Sequence, residues 1–292
     1  MSSRVTFTSG GEACVGYLYG QLTATPRPCV VLCTGFGGTQ DTPALTANAR
    51  LFADAGYVAM TFDYRNFGES GGSPRQLVGI ESQLADIHAA VDCARRTPGV
   101  DPDRVALWGT SLGGGHVVTA AARGAGVAAV VAQIPFNGFP RSVPGRSKSA
   151  TLRLLWAMVV DAARGLLHLS PAYIPAVGGP GDLAVMASLE AQQAIAGMTT
   201  RTWKNSVAPR ALFEMMRYHP GDWAPDLKVP LLVCVGAEDR ETSLATAAAL
   251  AHRAPQGVLN TYPYAHFDFY RDDVRRQVTR DQVEFLDRVL RC

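Results

Sequence analysis

The stretch "VALWGTSLGGGH", Val105–His116, runs an apolar, β-like segment into a serine set among glycines. Val105–Trp108 reads as a strand and "LGGGHVVTAAA", Leu112–Ala122, can start a helix, so Ser111 falls on a strand-to-helix turn. At such a turn a G-x-S-x-G pattern has a mechanical meaning. Small residues at Gly109 and Gly113 let strand and helix approach, and the serine is forced into strained backbone with its hydroxyl thrust out of the sheet. The helix behind it aims its N-terminal amides at any negative charge that develops there. With 29 glycines in 292 residues the pattern alone is a weak signal, and its surroundings must decide.

Those surroundings alternate short apolar runs with longer helical patterns. The runs are Pro28–Thr34, Tyr57–Phe62, Arg104–Gly109, Val127–Ile134, Pro230–Gly236 and Gly257–Tyr262. Most are near-continuously apolar, as expected for strands covered on both faces. Leu77, Ile80, Leu84, Ile87 and Val91 mark one face of a helix, and Val274, Val278, Phe285, Leu286 and Val289 mark another. The alternation predicts an α/β fold with a doubly wound, mostly parallel sheet.

One region breaks the rhythm. From Phe139 to Asp226 no strand is readable, while helical stretches stand around Leu152–Leu167, Leu183–Ile195 and Arg210–Arg217. A gap of this size between strands is not a plain loop. The expectation is a helical cap, residues 139–226, inserted into a core made of residues 1–138 and 227–292. Ordinary crossover helices with long linkers are the alternative.

Composition narrows the function classes. The formal net charge is +2 and the basic residues are scattered, which argues against nucleic acid or an anionic membrane as the main partner. The most apolar helix candidate, Ala150–Leu169, carries Arg153, Asp161, Arg164 and Gly165 and is not a membrane span. No apolar segment follows a basic start at the N-terminus, so no secretory signal is read and a cytoplasmic setting is expected. Cys14, Cys29, Cys33, Cys93, Cys234 and Cys292 form no C-x-x-C and no His/Cys cluster, and they read as reduced thiols.

A serine hydroxyl is a poor nucleophile until a base removes its proton, so Ser111 requires a histidine and an acid. In this architecture the acid follows a late strand and the histidine follows the last one. "PLLVCVGAEDRET" places Asp239 three residues past Gly236, and "GVLNTYPYAHFDFY" places His266 just before the closing helix. Of the other histidines, His88, His116 and His252 fall in helices and His168 and His219 in the expected cap. The acid is not unique: spacing favours Asp239, but Glu238 adjoins it and Glu241 lies close.

Taken together, "GTSLG", "GAED", "AHFDFY", "CTGFGG" (Cys33–Gly38) and "DYRNFGES" (Asp63–Ser70) resemble the α/β-hydrolase superfamily over the whole chain apart from the cap. In detail the chain is similar to the capped serine-hydrolase branch of esterases, thioesterases and polyketide acyltransferases. The resemblance implies a Ser111-His266-Asp239 triad and an oxyanion hole made by the backbone N–H groups of Phe36 and Leu112. Asn66 stands where relatives usually have glycine, and Asn tolerates left-handed backbone better than other non-glycine residues. Asp63 and Arg65 are expected to buttress the site.

The implied function is hydrolysis of an ester or thioester through an acyl-enzyme, with a small molecule as substrate. Transfer of the acyl group to an alcohol or amine, and hydrolysis of short peptides, remain open alternatives. A dehalogenase or epoxide hydrolase would need Asp in place of Ser111, and a non-catalytic module would normally lack part of the triad. No cofactor or metal is implied, since the charge stabilisation comes from backbone donors. Trp156, Met186, Trp203 and Met215 are the candidate lining of an apolar pocket, with core packing an equal explanation. Oligomeric state is not legible, and a homodimer is one option.

Overall fold

In the strand Arg27–Cys33 the buried side chains divide by parity: Cys29, Val31 and Cys33 enter one apolar cluster, Val30 and Leu32 a second. Successive residues of a strand point to opposite faces, so a run with no polar alternation is what a sheet covered on both sides requires. The computed structural model, which describes residues 2–139 and 147–291, places this strand near the middle of an eight-stranded sheet.

In chain order the elements are β1 (Ser2–Ser9), β2 (Glu12–Tyr19), β3 (Arg27–Cys33), α1 (Pro43–Asp54), β4 (Val58–Phe62), α2 (Ile80–Arg95), β5 (Val100–Thr110), α3 (Leu112–Ala122) and β6 (Ala129–Gln133). There follow α4 (Lys148–Leu166), β7 (Val177–Gly178), β8 (Met186–Ala187), α5 (Leu189–Met198), α6 (Ala211–Met215), β9 (Leu231–Gly236), α7 (Leu244–Arg253), β10 (Gly257–Tyr262) and α8 (Asp272–Leu290). Strand order across the sheet is β1-β2-β4-β3-β5-β6-β9-β10. From β4 to β10 every pairing is parallel, and β1 and β2 join antiparallel at one edge. The fold is the mostly parallel, doubly wound sheet that the sequence pattern predicts.

Helices α1 and α8 cover one face of the sheet, supplying Leu45, Ala49 and Phe52 with Val274, Val278, Phe285 and Leu286 to the same cluster. Helices α2, α3 and α7 contribute Ile87, Val117 and Leu250 to the cluster on the other face. Each Val, Leu, Ile or Phe among them, fully buried, contributes roughly 1.5–3 kcal/mol. A polar chain fixes α8 to the sheet below Ser111: the indole N–H of Trp108 donates to Gln282 Oε1 at 2.9 Å, and Gln282 Nε2 donates to Gln133 Oε1 at 2.9 Å. All three residues are at most 2 % exposed, so each donor left unmade would cost its full desolvation.

The N-terminal hairpin is absent from the sequence reading. Its strands are joined through Gly10 and Gly11, with φ of +56° and +83°, the left-handed pair that a two-residue hairpin turn demands. β1 lies at the sheet edge and is largely exposed, which is why its polar composition did not stand out. Helix α1, opened by Pro43 at its first position, was likewise not singled out.

The long segment between β6 and β9 carries the helices α4, α5 and α6, but two corrections apply. It contains a two-residue parallel ladder, β7 with β8, where no strand was expected. The stretch Leu183–Ile195 is not one helix: α5 begins at Leu189, where the Ser188 hydroxyl accepts the N–H of Ala191 and caps it. Positions 140–146 of the expected cap, and Cys292 among the thiols, lie outside the described residues. Among those described, no helix is long and apolar enough to cross a membrane.

Candidate active site

Ser111 occupies the single position between the end of β5 and the start of α3, with φ +55° and ψ −121°. That conformation is strained for any residue with a side chain, and it persists because the surrounding backbone over-determines it. The Ser111 N–H donates to Gln133 O at 3.0 Å, and its carbonyl accepts from Phe136 N at 2.9 Å and Gly115 N at 3.2 Å. The glycines are steric requirements. A Cβ on Gly109 would lie 2.2 Å from Gly113 O, and one on Gly113 would lie 2.3 Å from Thr34 O, so α3 crosses β3 and β5 in direct backbone contact.

His266 opens a short 3-10 turn, His266–Tyr270, that leads into α8. Its Nδ1 lies 2.8 Å from Asp239 Oδ2, and the two side chains are 3 % and 2 % exposed. Asp239 sits just past β9 and is held by three other donors: the N–H groups of Glu241 and Thr242 on Oδ1 at 2.8 Å each, and the Thr242 hydroxyl on Oδ2 at 2.7 Å. Burial pushes the Asp239 carboxyl upward, but the neighbouring His266 and these donors outweigh it and hold it below its ordinary value. An ionised carboxylate only accepts, so Nδ1 carries the imidazole proton and Nε2 is left as the basic nitrogen.

Glu238 is exposed, and among the described residues its carboxylate makes no hydrogen bond or ion pair with His266. Glu241 accepts from Ser188 Oγ at 3.3 Å, and burial raises its carboxyl above the usual value. Of the three carboxylates left open by the sequence, Asp239 is the one that meets the imidazole. The Ser111 hydroxyl makes no hydrogen bond among the described residues, His266 included; such contacts commonly tighten only around a substrate.

Ser111 and His266 border the same cavity of about 450 Å³, together with Phe36, Leu45, Asn48, Met186, Glu190, Met198 and Arg275. A second cavity of about 140 Å³ shares Ser111, Phe36, Met186 and Glu190 and is further lined by Leu112, Phe136 and Met215. Ser111 therefore stands between a larger and a smaller space. The backbone N–H groups of Phe36 and Leu112 have no acceptor among the described residues, although both residues are buried. Idle donors beside a nucleophile are what an oxyanion hole consists of.

The loop that carries Phe36 is anchored from behind. Asp63 Oδ1 accepts Gln40 N at 2.8 Å, while its Oδ2 accepts Gln40 Nε2 at 3.0 Å and Glu69 N at 2.8 Å. Arg65 pairs with the fully buried Asp86 at 2.7 Å. Asn66 has φ +72°, the left-handed conformation for which Asn substitutes for glycine.

The four apolar pocket candidates separate. Met186 borders both cavities and Met215 the smaller one. Trp156 and Trp203 border neither: Trp156 lies 68 % exposed on the outer side of α4, and Trp203 is buried elsewhere in the insertion. Along most of its length the face that α5 turns to the larger cavity is instead polar or small, with Glu190, Gln193, Ala194 and Gly197, and Met198 adds an apolar side chain at its end. Glu190 is an acidic group bordering both cavities that the sequence reading did not credit. A search for apolar side chains passes over such a wall. Among the described residues there is no cluster of His, Cys, Asp and Glu able to hold a metal ion.

Comparison with known proteins gives concordant results. Residues 24–272 match the family model described as serine aminopeptidase, S33. The chain is 36 % identical over 289 residues to the quorum-quenching protein AidA of Acinetobacter baumannii, covering 98 % of this chain and 94 % of that one. It is 29 % identical over 232 residues to the thiohydrolase aneE of Aspergillus aculeatus, covering 75 % and 70 % respectively. Among solved structures, the α/β hydrolase GrgF of a Penicillium species superposes with a TM-score of 0.83 over the full length of both chains at 22 % identity.

Proposed function

The chain belongs to the serine aminopeptidase S33 family of α/β hydrolases, and from that premise we propose that this hydrolase cleaves an ester or thioester of a largely apolar acyl group through Ser111, His266 and Asp239. The observation that carries the reading is the buried His266–Asp239 contact, which leaves Nε2 basic at the cavity that Ser111 also borders. In the proposed cycle Ser111 Oγ attacks the substrate carbonyl carbon while Nε2 takes the hydroxyl proton. The oxyanion of the tetrahedral intermediate is stabilised by the N–H groups of Phe36 and Leu112, and losing one such donor costs about 10²–10³ in rate. As the carbonyl reforms, the bond to the alcohol or thiol breaks and Nε2 returns its proton to that leaving group. Water, deprotonated by the same nitrogen, then attacks the acyl carbon; the bond to Ser111 Oγ breaks, Nε2 returns the proton to that oxygen, and the carboxylic acid leaves.

Residues 139–226 act in this reading as a cap over the site, with α5 and Met186 forming one wall of the larger cavity. The acyl group occupies the larger space and the leaving group the smaller. The kinship with a relative named a thiohydrolase supports the thioester side of the reading.

The test is a chain-length series of nitrophenyl esters and acyl thioesters assayed with the wild-type chain and with Ser111→Ala. Turnover by the wild type that vanishes in a folded Ser111→Ala supports the reading; undiminished turnover removes Ser111 from it. Transfer to an alcohol or amine is a second reading, because the 140 Å³ space beside Ser111 can hold an acceptor as well as a leaving group. A product that appears only when an acceptor is added, measured in competition with water, favours transfer. Peptide hydrolysis is tested with aminoacyl nitroanilides, for which Glu190 is the acidic group at hand.

A further inference from the structure

Helix α5 is tied to the core at both ends, and unequally. At its start the Ser188 hydroxyl donates to Glu241 Oε1 at 3.3 Å, a single long bond. Just past its end the chain meets Asp41, which stands between Phe36 and α1. Asp41 Oδ1 accepts from the hydroxyls of Thr200 at 2.8 Å and Thr202 at 2.7 Å, and its Oδ2 accepts from Thr202 N at 3.3 Å. The same Oδ1 accepts from the Thr39 hydroxyl at 2.7 Å, on the loop that carries Phe36. Burial pushes the Asp41 carboxyl upward, but these donors outweigh it and hold it below its ordinary value. Hydrogen bonds to an ionised acceptor are the strong ones, so one carboxylate staples the end of α5 to that loop. The neighbouring Arg201 pairs with Glu69, but its side chain is 79 % exposed and such a pair adds little.

The staple stands behind the far wall of the larger cavity. Thr39 and Thr42, on either side of Asp41, border that cavity, and so do Gly197 and Met198 at the end of α5. Glu190 borders both cavities, whereas Gly197 and Met198 border the larger one alone. From Glu190 to Gly197 the helix rises about 10 Å. Following α5 to its end therefore leads away from the space that the two cavities share beside Ser111. Glycine weakens a helix, and an added Cβ on Gly197 would meet no atom within 4 Å among the described residues. No neighbour requires the glycine, and its effect is to leave the cavity open at that end.

We propose that Asp41 is a positioning residue for the acyl group: by holding the end of α5 to the loop that carries Phe36, it sets how far the larger cavity extends and so how long an acyl chain the site accepts. The substrates are then extended acyl groups that run along α5 as far as Gly197. The inference rests on the larger cavity being the acyl site of the proposed hydrolase.

The test is a pair of ratios. Nitrophenyl butanoate, octanoate and dodecanoate are hydrolysed by the full chain and its variants, and kcat/KM values are divided, octanoate by butanoate and dodecanoate by octanoate. A loss common to all esters, which a merely structural role would give, cancels. Gly197→Leu fills the end of the cavity and lowers the octanoate-to-butanoate ratio by on the order of tenfold or more. Asp41→Asn puts an amide donor where the threonines need an acceptor, frees the end of α5 and raises the dodecanoate-to-octanoate ratio by about threefold or more. Thr200→Val combined with Thr202→Val removes the hydroxyl donors on the α5 side, leaves the Thr39 bond, and raises that ratio likewise; it decides alone should Asp41→Asn fail to fold. The proposal is overturned by a dodecanoate ratio that fails to rise in either folded staple variant, by an octanoate ratio that Gly197→Leu leaves unchanged, or by a wild type that turns over butanoate but not octanoate. Failure of the hydrolase reading is distinct: the folded wild type then turns over no ester of any length.

Discussion

Asp239 Oδ2 and His266 Nδ1 stand 2.8 Å apart with both side chains almost completely buried. The carboxylate sets the imidazole tautomer, and replacing one oxygen by an amide N–H₂ would present a donor to a donor. Asp239→Asn is therefore expected to lower kcat by about 10⁴-fold. Glu238→Gln, altering an exposed carboxylate with no hydrogen bond to His266 among the described residues, is expected to leave kcat near wild type. Steady-state rates on a nitrophenyl ester check both, and equal losses would reopen the choice of acid.

Gly113→Ala is expected to destabilise the protein by about 3 kcal/mol or more. Its Cβ would lie 2.3 Å from Thr34 O and 2.6 Å from Cys33 O, and backbone on both sides cannot give way without moving the turn that holds Ser111. Urea denaturation gives the number, and a midpoint within error of wild type would contradict the close approach.

Arg65→Met strips the partner from Asp86, a carboxylate of 0 % exposure. An uncompensated buried charge costs about 3–5 kcal/mol, whereas removing both ends with Arg65→Met and Asp86→Leu together is expected to cost less. A double-mutant cycle by thermal or urea unfolding measures the difference. A double variant no better than Arg65→Met would show that the pair does not act as one.

Asp63 supplies a pH dependence of unusual sign. Burial pushes its carboxyl from the ordinary 3.8 up to about 6, against the backbone and side-chain donors of Gln40 and Glu69. Between those two values the folded chain binds more protons at this site than the unfolded chain, so its contribution to stability grows as pH falls through about 6 and levels off below the ordinary carboxylate range. The Tm of wild type relative to that of Asp63→Asn is expected to rise between about pH 7 and about pH 5. A constant or shrinking difference contradicts it. Asp239, whose carboxyl is held below its ordinary value, contributes with the opposite sign: its stabilisation is present above the ordinary range and is lost as pH falls toward the folded value.

What was legible in the sequence follows from what is local. Ser111 is legible because a strand, a tight turn and a helix are each written in consecutive residues, and the glycines there answer to neighbouring backbone that would lie only 2.2–2.9 Å from an added Cβ. His266 and Asp239 come from separate strand ends, and chain order alone pointed to them, since both strands, β9 and β10, are ordinary apolar or alternating runs. The hairpin β1–β2 passed unread because an edge strand need not be apolar, though Gly10–Gly11 between alternating segments was a usable signal. The insertion was the least legible part. Helix α4 presents Leu152, Trp156 and Val159 outward, so apolar periodicity there does not report which side faces the cavity. Asn48 and Thr279 belong to no motif and meet only because α1 and α8 pack together, a relation between helices more than two hundred positions apart.

The most direct measurement is reaction of the intact chain with a fluorophosphonate, followed by peptide mapping. The account predicts one adduct, on the peptide containing Ser111, which disappears in Ser111→Ala and is formed far more slowly in His266→Ala. A label carried by another residue, or a wild-type chain that does not react while remaining folded, would contradict it.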